Sequence, residues 1–493
     1  MGRGRVVTSG AVGVSLTLAL VLVGAGSARA KPRKPKPRPP LNQVQRENRQ
    51  KGTRAWSLIQ TASQGEILGY ASEVSALPGQ VVHFHVNTTP TARYQILLYR
   101  LGWYGGKGAR RVACLPSCTK TKPGQPQPMP APDPATGMVR ASWPVTDTYR
   151  FPRKAVSGYY LAKLTLRSTA RTGKVTYIPV ILRALPSRRS KILVQVPVNT
   201  WQAYNAWGGK SLYAFNSTNQ IPANHVSFDR PYDPQLFVPI VWEIGLVRFL
   251  ERNGYDVSYT TDVDTDRNPG ELRRHRLVIS SGHDEYWSKG TRDAFETARD
   301  HGINLAFLGA DIGDWQVRYE DNRRTIVEYR TAAADPMPDP ALKTVRFRNL
   351  TPPRPECQLL GIGFGGSAAM TDPPRSYVMN RPALRDPWFK GSGFKPSSKL
   401  PDSVGYEWDS VQPGCEPPKL TVFFKYEGRD MYGAPTSAQA IRYVAPSGAR
   451  VFSSGSLQWI WGLDHSYGHR AVRQNIRLRR FMKNALAALQ TKH

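Results

Sequence analysis

The stretch over residues 277–308 most constrains the fold. Residues 277–280 (LVIS) are apolar or small and read as a buried strand. Gly282 permits a sharp turn. Ser288 is placed to cap a helix running to His301, Gly302 ends that helix, and residues 303–308 (INLAFL) form a second strand. A strand, a helix and a strand in so short a span imply a parallel sheet with helices on its faces. His283 and Glu285 follow the first strand at once, where open α/β sheets bind their ligands.

The same alternation continues on either side. Residues 192–196 (ILVQV) and 255–259 (YDVSY) read as strands. Residues 238–253 carry a helical period through Ile240, Val241, Ile244, Val247, Phe249 and Leu250, ended by Gly254. We therefore expect an α/β domain over residues 190–490 with a doubly wound, mostly parallel sheet. Strands at 421–424, 440–443 and 450–453 and a closing helix at 470–489 belong to it. The Pro- and Gly-rich stretch 330–420 reads as long insertions. Ahead of this domain, residues 79–86 (GQVVHFHV), 94–100 (YQILLYR), 156–166 (VSGYYLAKLTL) and 175–182 (VTYIPVIL) suggest strands separated by turn clusters. They predict an antiparallel β-sandwich over residues 60–185, so the fold class is all-β followed by α/β.

Arg3 and Arg5, the apolar run 12–24, and Ala28 and Ala30 flanking Arg29 predict a cleaved signal peptide over residues 1–30. The protein is thus expected to be secreted and associated with the cell envelope. Residues 31–43 (KPRKPKPRPPLNQ) cannot bury a core and read as a basic tether. The formal charge is +32, and removing residues 1–30, with Arg3, Arg5 and Arg29 and no acid, leaves +29. Such a surplus suits an anionic envelope surface as partner. No nucleic-acid-binding motif occurs, so nucleic acid is not an expected partner. Export permits disulfides. The close spacing of Cys114 and Cys118 favours a local loop, which leaves Cys357 to pair with Cys415, one of three possible connectivities. No CxxC…CxxC pattern supports zinc.

Three parallel strands run into polar loops: WQAYNAWGG (201–209), His283 with Glu285, and GADIGDW (309–315). A parallel sheet brings these loops to one edge, so Tyr204, His283, Glu285 and Asp311 are expected to converge. No cysteine lies in this domain before Cys357, and no GxSxG is present, which excludes thiol and serine nucleophile elbows. A metal or carboxylate mechanism remains, and glutamate, histidine and tyrosine are suitable ligands for iron(III).

The sheet resembles that of class I glutamine amidotransferases. More specifically, YRLGWYGG (99–106), WQAYNAWGG (201–209), GHDEYW (282–287) and GADIGDWQVR (309–318) resemble, in this order, the large (β) subunit of N,N-dimethylformamidase. The resemblance spans roughly residues 60–485. It implies a mononuclear iron(III) site held by two tyrosines and one glutamate. Tyr204 and Glu285 match two of these ligands, and Tyr160, preferred to Tyr159 in SGYYLA, matches the third. It also implies that His283 lies beside the iron and that Asp311 stands where the family has asparagine. Glu407, in GYEW, is a further candidate carboxylate. The implied activity is hydrolysis of a C–N amide bond in a small amide substrate by metal-activated water, with His283 moving the proton. A small subunit is an implied partner, with a homo-oligomer as the alternative. The second functional reading is a non-catalytic secreted protein that binds anionic or glycan cell-envelope material, and the Asp311 departure favours it.

Overall fold

The strand–helix–strand unit forms as its sequence predicts. Strand Leu277–Gly282 pairs in parallel with Asn304–Gly309, from Leu277 opposite Asn304 to Gly282 opposite Gly309. Helix Lys289–Asp300 connects them, and the Ser288 hydroxyl caps it by accepting from the Thr291 N–H at 3.0 Å. Its inner face buries Ala294, Phe295 and Ala298, with Phe295 stacked on Trp287 at 4.6 Å.

This is a computed structural model that describes residues 1–2, 10, 40–57, 61–168, 172–234, 240–369, 372–373, 375–464 and 474–491. The signal peptide and most of the basic tether lie outside the described residues. The segment Leu41–His493 forms one compact unit. Among the described residues, no helix is long and apolar enough to cross a membrane.

The central sheet has nine strands. Val257–Thr261, Ile192–Val196, Leu277–Gly282, Asn304–Gly309 and Arg450–Ser453 lie side by side in parallel. Beyond Arg450–Ser453 the sheet continues antiparallel through Pro435–Val444, Thr421–Arg429, Arg375–Met379 and Lys399–Val404. The expected mostly parallel sheet therefore describes five of the nine strands. The antiparallel strands need no crossover helix, and short turns join Thr421–Arg429, Pro435–Val444 and Arg450–Ser453 in succession. The helix expected over 238–253 is Ile244–Arg252, and the closing helix is Ile476–Leu489. Residues 235–239 and 465–473 lie outside the described residues.

Two further sheets occupy residues 67–182. One is Ile67–Ala71, Val81–Thr88 and Asp147–Arg150. The other centres on Ala92–Leu101, Gly158–Leu166 and Val175–Leu182. Val82, Phe84, Ile96, Leu98, Leu164 and Ile178 from the two sheets share one apolar core. Both sheets are antiparallel except where Ser75–Ala76 pairs with Ile181 and Leu182.

A buried ion pair joins this β region to the central sheet. Arg100 donates to both carboxylate oxygens of Glu251, on helix Ile244–Arg252, at 2.9 and 2.8 Å. Tyr259 also donates to Glu251, at 3.2 Å. The two disulfides, Cys114–Cys118 and Cys357–Cys415, are the pairs that the sequence spacing favours.

Candidate metal centre

The site is assembled at the carboxyl ends of the parallel strands. Strand Ile192–Val196 runs into the short helix Val198–Ala203, and Tyr204 caps its end. Strand Leu277–Gly282 turns at Gly282, where φ is +75°. A side chain there would also meet Glu243 Oε1 at 2.8 Å. That turn places His283 and Glu285 just past the sheet, and the Glu285 N–H donates to Thr200 Oγ1 at 3.0 Å. On the next strand, a Cβ at Gly309 would lie 2.0 Å from the Gly282 carbonyl oxygen, so this approach of two strands requires glycine. Asp311 follows in a left-handed conformation, φ +53°, with its N–H donating to Asp409 Oδ1 at 2.9 Å.

The oxygens of two tyrosines and one glutamate meet here. Tyr204 donates to Glu285 Oε2 at 2.9 Å. Tyr213 lies 2.7 Å from Glu285 Oε1 and 2.8 Å from the Tyr204 hydroxyl. Tyr286 donates to the Tyr213 hydroxyl at 2.5 Å and receives from Arg330 at 2.7 Å. The Arg330 guanidinium also lies over the Tyr213 ring, 4.2 Å from its centre. Asn216 donates to the Tyr204 carbonyl at 3.0 Å and so ties the loop carrying Tyr213 to the turn carrying Tyr204.

His283 faces this group. Its Nε2 lies 2.9 Å from Glu407 Oε2 and 3.2 Å from Glu285 Oε2, but it forms no aligned hydrogen bond with either. Asp311 Oδ1 is likewise buried without a hydrogen-bond partner. Ligand atoms of His283, Glu285 and Asp311 all lie within 4.8 Å of one another. Close polar atoms that fail to align with each other are what a shared central ion would produce. Asp284, between His283 and Glu285, instead accepts from Gln195 and Ser280 at 2.8 and 2.7 Å.

The electrostatics favour a cation. Burial opposes the charged His283 imidazolium, but Glu407 and Glu285 outweigh it and raise its pKa to about 10. Burial raises the Glu285 carboxyl, and His283 more than offsets this, holding it below the usual range. Burial, followed by Asp314, Glu285 and Glu407, pushes the Asp311 carboxyl well up. Burial and the Glu285 charge push the Tyr204 and Tyr213 phenols well up. One histidine thus faces three carboxyl groups, all of them buried.

The residues present fit a hard trivalent ion. Tyrosine and glutamate oxygens are its preferred donors. The Tyr204, Tyr213 and Glu285 oxygens lie 2.7–2.9 Å from one another, linked by hydrogen bonds that an ion held there would replace.

Of the residues expected from sequence, the fold brings Tyr204, His283, Glu285, Asp311 and Glu407 together. Tyr160, expected as the third ligand, is placed apart from this group. It is buried in the core of the β region, donates to the Val156 carbonyl at 2.9 Å and packs edge-on against Phe151. Tyr159 faces Tyr259 and Trp201 instead. The second tyrosine at the site is Tyr213, which sequence reasoning missed. The available signal was its position four residues after the Gly208–Gly209 pair that closes the Tyr204 motif.

Aromatic side chains border the pocket. Phe215 is 71% exposed and its ring centre lies 5.2 Å from that of Tyr213 and 6.5 Å from that of Tyr204. Tyr406, adjacent to Glu407, stacks on Trp242, which stacks on Trp461.

A sequence model of the family described as N,N-dimethylformamidase beta subunit-like, C-terminal, matches residues 95–471. No curated protein matches the chain. Among solved structures, a family 123 glycoside hydrolase from Clostridium perfringens, described for glycolipid glycan hydrolysis, is 9% identical. The alignment covers 52% of this chain and 47% of that one, with a TM-score of 0.12. The chain therefore spans about half the length of that structure, and so low a score carries no structural argument.

Proposed function

Because the chain belongs to the N,N-dimethylformamidase beta subunit-like family, we propose that it is an amidohydrolase acting on a small amide at a mononuclear iron(III) centre. Tyr204, Tyr213 and Glu285 would hold the ion. Bound there, it would supply Lewis acidity toward the amide carbonyl and make a nearby water more acidic.

The chain's own residues perform the remaining work. His283 carries a proton between water and the leaving nitrogen, with the Glu407 and Glu285 carboxylates beside its Nε2 to offset the charge it takes up. Asp311, fixed by Asp409, lines the same point and sets the polarity met by the substrate. Arg330 and Tyr286 fix the Tyr213 hydroxyl. Phe215 offers an apolar rim for substituents on the amide. Export through residues 1–30, and a small-subunit or homo-oligomeric partner, belong to the same proposal.

The observation that carries this reading is the convergence of three oxygen donors from Tyr204, Tyr213 and Glu285 beside His283. The test is to purify the mature chain and measure its iron content and visible spectrum. Near-stoichiometric iron with a tyrosinate charge-transfer band, and turnover of simple amides, are the expected results. A colourless, iron-free protein that cannot be reconstituted would overturn the proposal and favour the envelope-binding reading.

A further inference from the structure

The edge of the central sheet opposite the metal centre, where the parallel strands begin, carries an open groove of about 570 Å³. Arg273, Arg274, Arg276 and His301 line it, together with Asn304 and Ser447. Arg276 immediately precedes strand Leu277–Gly282, Asn304 begins its neighbour, and Ser447 lies just before Arg450–Ser453. Among the described residues, no acidic side chain lines the groove. The acids closest in sequence, Glu271 and Asp300, are held by Arg189 and Arg299. Arg273, Arg274 and Arg276 are exposed and form no ion pair among the described residues.

Three unneutralised guanidinium groups in a concave site favour an anion with several planar or tetrahedral oxoanion groups. Guanidinium presents a fork of N–H donors that matches phosphate geometry. The surplus of +29 outside residues 1–30 supplies long-range attraction. A bilayer surface calls for an apolar face that can enter the headgroup region. Among the described residues, this lining offers Ile303 as its single large apolar residue.

We propose that this groove docks a linear polyphosphate-type polyanion through Arg273, Arg274 and Arg276. The inference does not depend on iron or on amide hydrolysis. Since the groove and the metal centre lie at opposite edges of one sheet, a polymer held in the groove leaves the metal centre open.

The test is calorimetric titration of the full mature chain with short-chain linear polyphosphate. Saturable binding at low salt, weakening steeply as NaCl is added, is expected. The triple variant Arg273→Gln/Arg274→Gln/Arg276→Gln should bind roughly tenfold more weakly with an unchanged thermal midpoint. A control triple, Arg153→Gln/Lys154→Gln/Arg188→Gln, removes the same charge elsewhere and should bind as the parent does. Equal weakening in both triples would mean diffuse attraction and overturn the proposal. So would loss of binding on deleting the basic segment 31–39 alone. Binding to phosphatidylglycerol vesicles that polyphosphate cannot displace would also overturn it, in favour of a membrane surface.

Discussion

A buried tyrosine hydroxyl needs a partner, and the partner indicates its role. Tyr160 is satisfied by a single backbone carbonyl, that of Val156. Tyr213 instead shares its hydroxyl with Glu285, Tyr204 and Tyr286. Tyr213→Phe and Tyr204→Phe should each lose most of the bound iron and the visible band, whereas Tyr160→Phe should retain both; metal analysis with absorption spectroscopy distinguishes them. Asp409→Ala would strand the buried Asp311 N–H, at a cost of about 1–3 kcal/mol, measurable by denaturant unfolding of the metal-free protein. Tyr204, His283, Glu285 and Asp311 were legible in sequence because each follows a parallel strand. Tyr213 was not, because its irregular loop carries no period. Tyr160, taken from the resemblance, lies on a strand buried along nearly its whole length, where tyrosines also serve to fill core volume.

At the level of elements, the joint between the β region and the central sheet rests on charge. Arg100 and Glu251 are both buried and bond through two donors. Glu251→Ala leaves a buried guanidinium unpaired and should destabilise the protein by about 3–5 kcal/mol. The double variant Arg100→Met/Glu251→Leu should recover much of that loss, and chemical unfolding measures both. Beside the first turn after helix Asp262–Arg267, burial raises the Glu271 carboxyl, but His275 and Arg189 outweigh it and draw it down to about 2. Its folded pKa lies below the unfolded value of 4.5. Its stabilising contribution is therefore complete above that value and is lost as pH falls through about 2. Glu271→Gln should give a shallower fall in thermal midpoint across this window. The parallel strands were legible because apolar runs alternate with capped helices. The antiparallel strands were less so, since edge-ward strands such as Thr421–Arg429 mix exposed and buried residues and lie among prolines and glycines.

For the whole molecule, the two disulfides contribute unequally. Cys357–Cys415 spans 58 residues and Cys114–Cys118 spans 4. Loop closure alone assigns about 4 kcal/mol to the first and about 2 kcal/mol to the second. Cys357→Ser/Cys415→Ser should therefore lower oxidised stability more than Cys114→Ser/Cys118→Ser, and both differences should vanish under reductant. The longer loop also contains Glu407, the carboxylate closest to His283. Read as a sequence in time, this arrangement sets an order of assembly. A chain emerging from its amino end presents Tyr204, Tyr213 and Glu285 first, and Glu407 appears 122 residues after Glu285. At the usual pace of synthesis that gap is on the order of 10 s. On the proposed iron site, the three oxygen donors are therefore synthesised before the histidine has gained its second carboxylate. Cys415 follows eight residues later and closes the loop behind it.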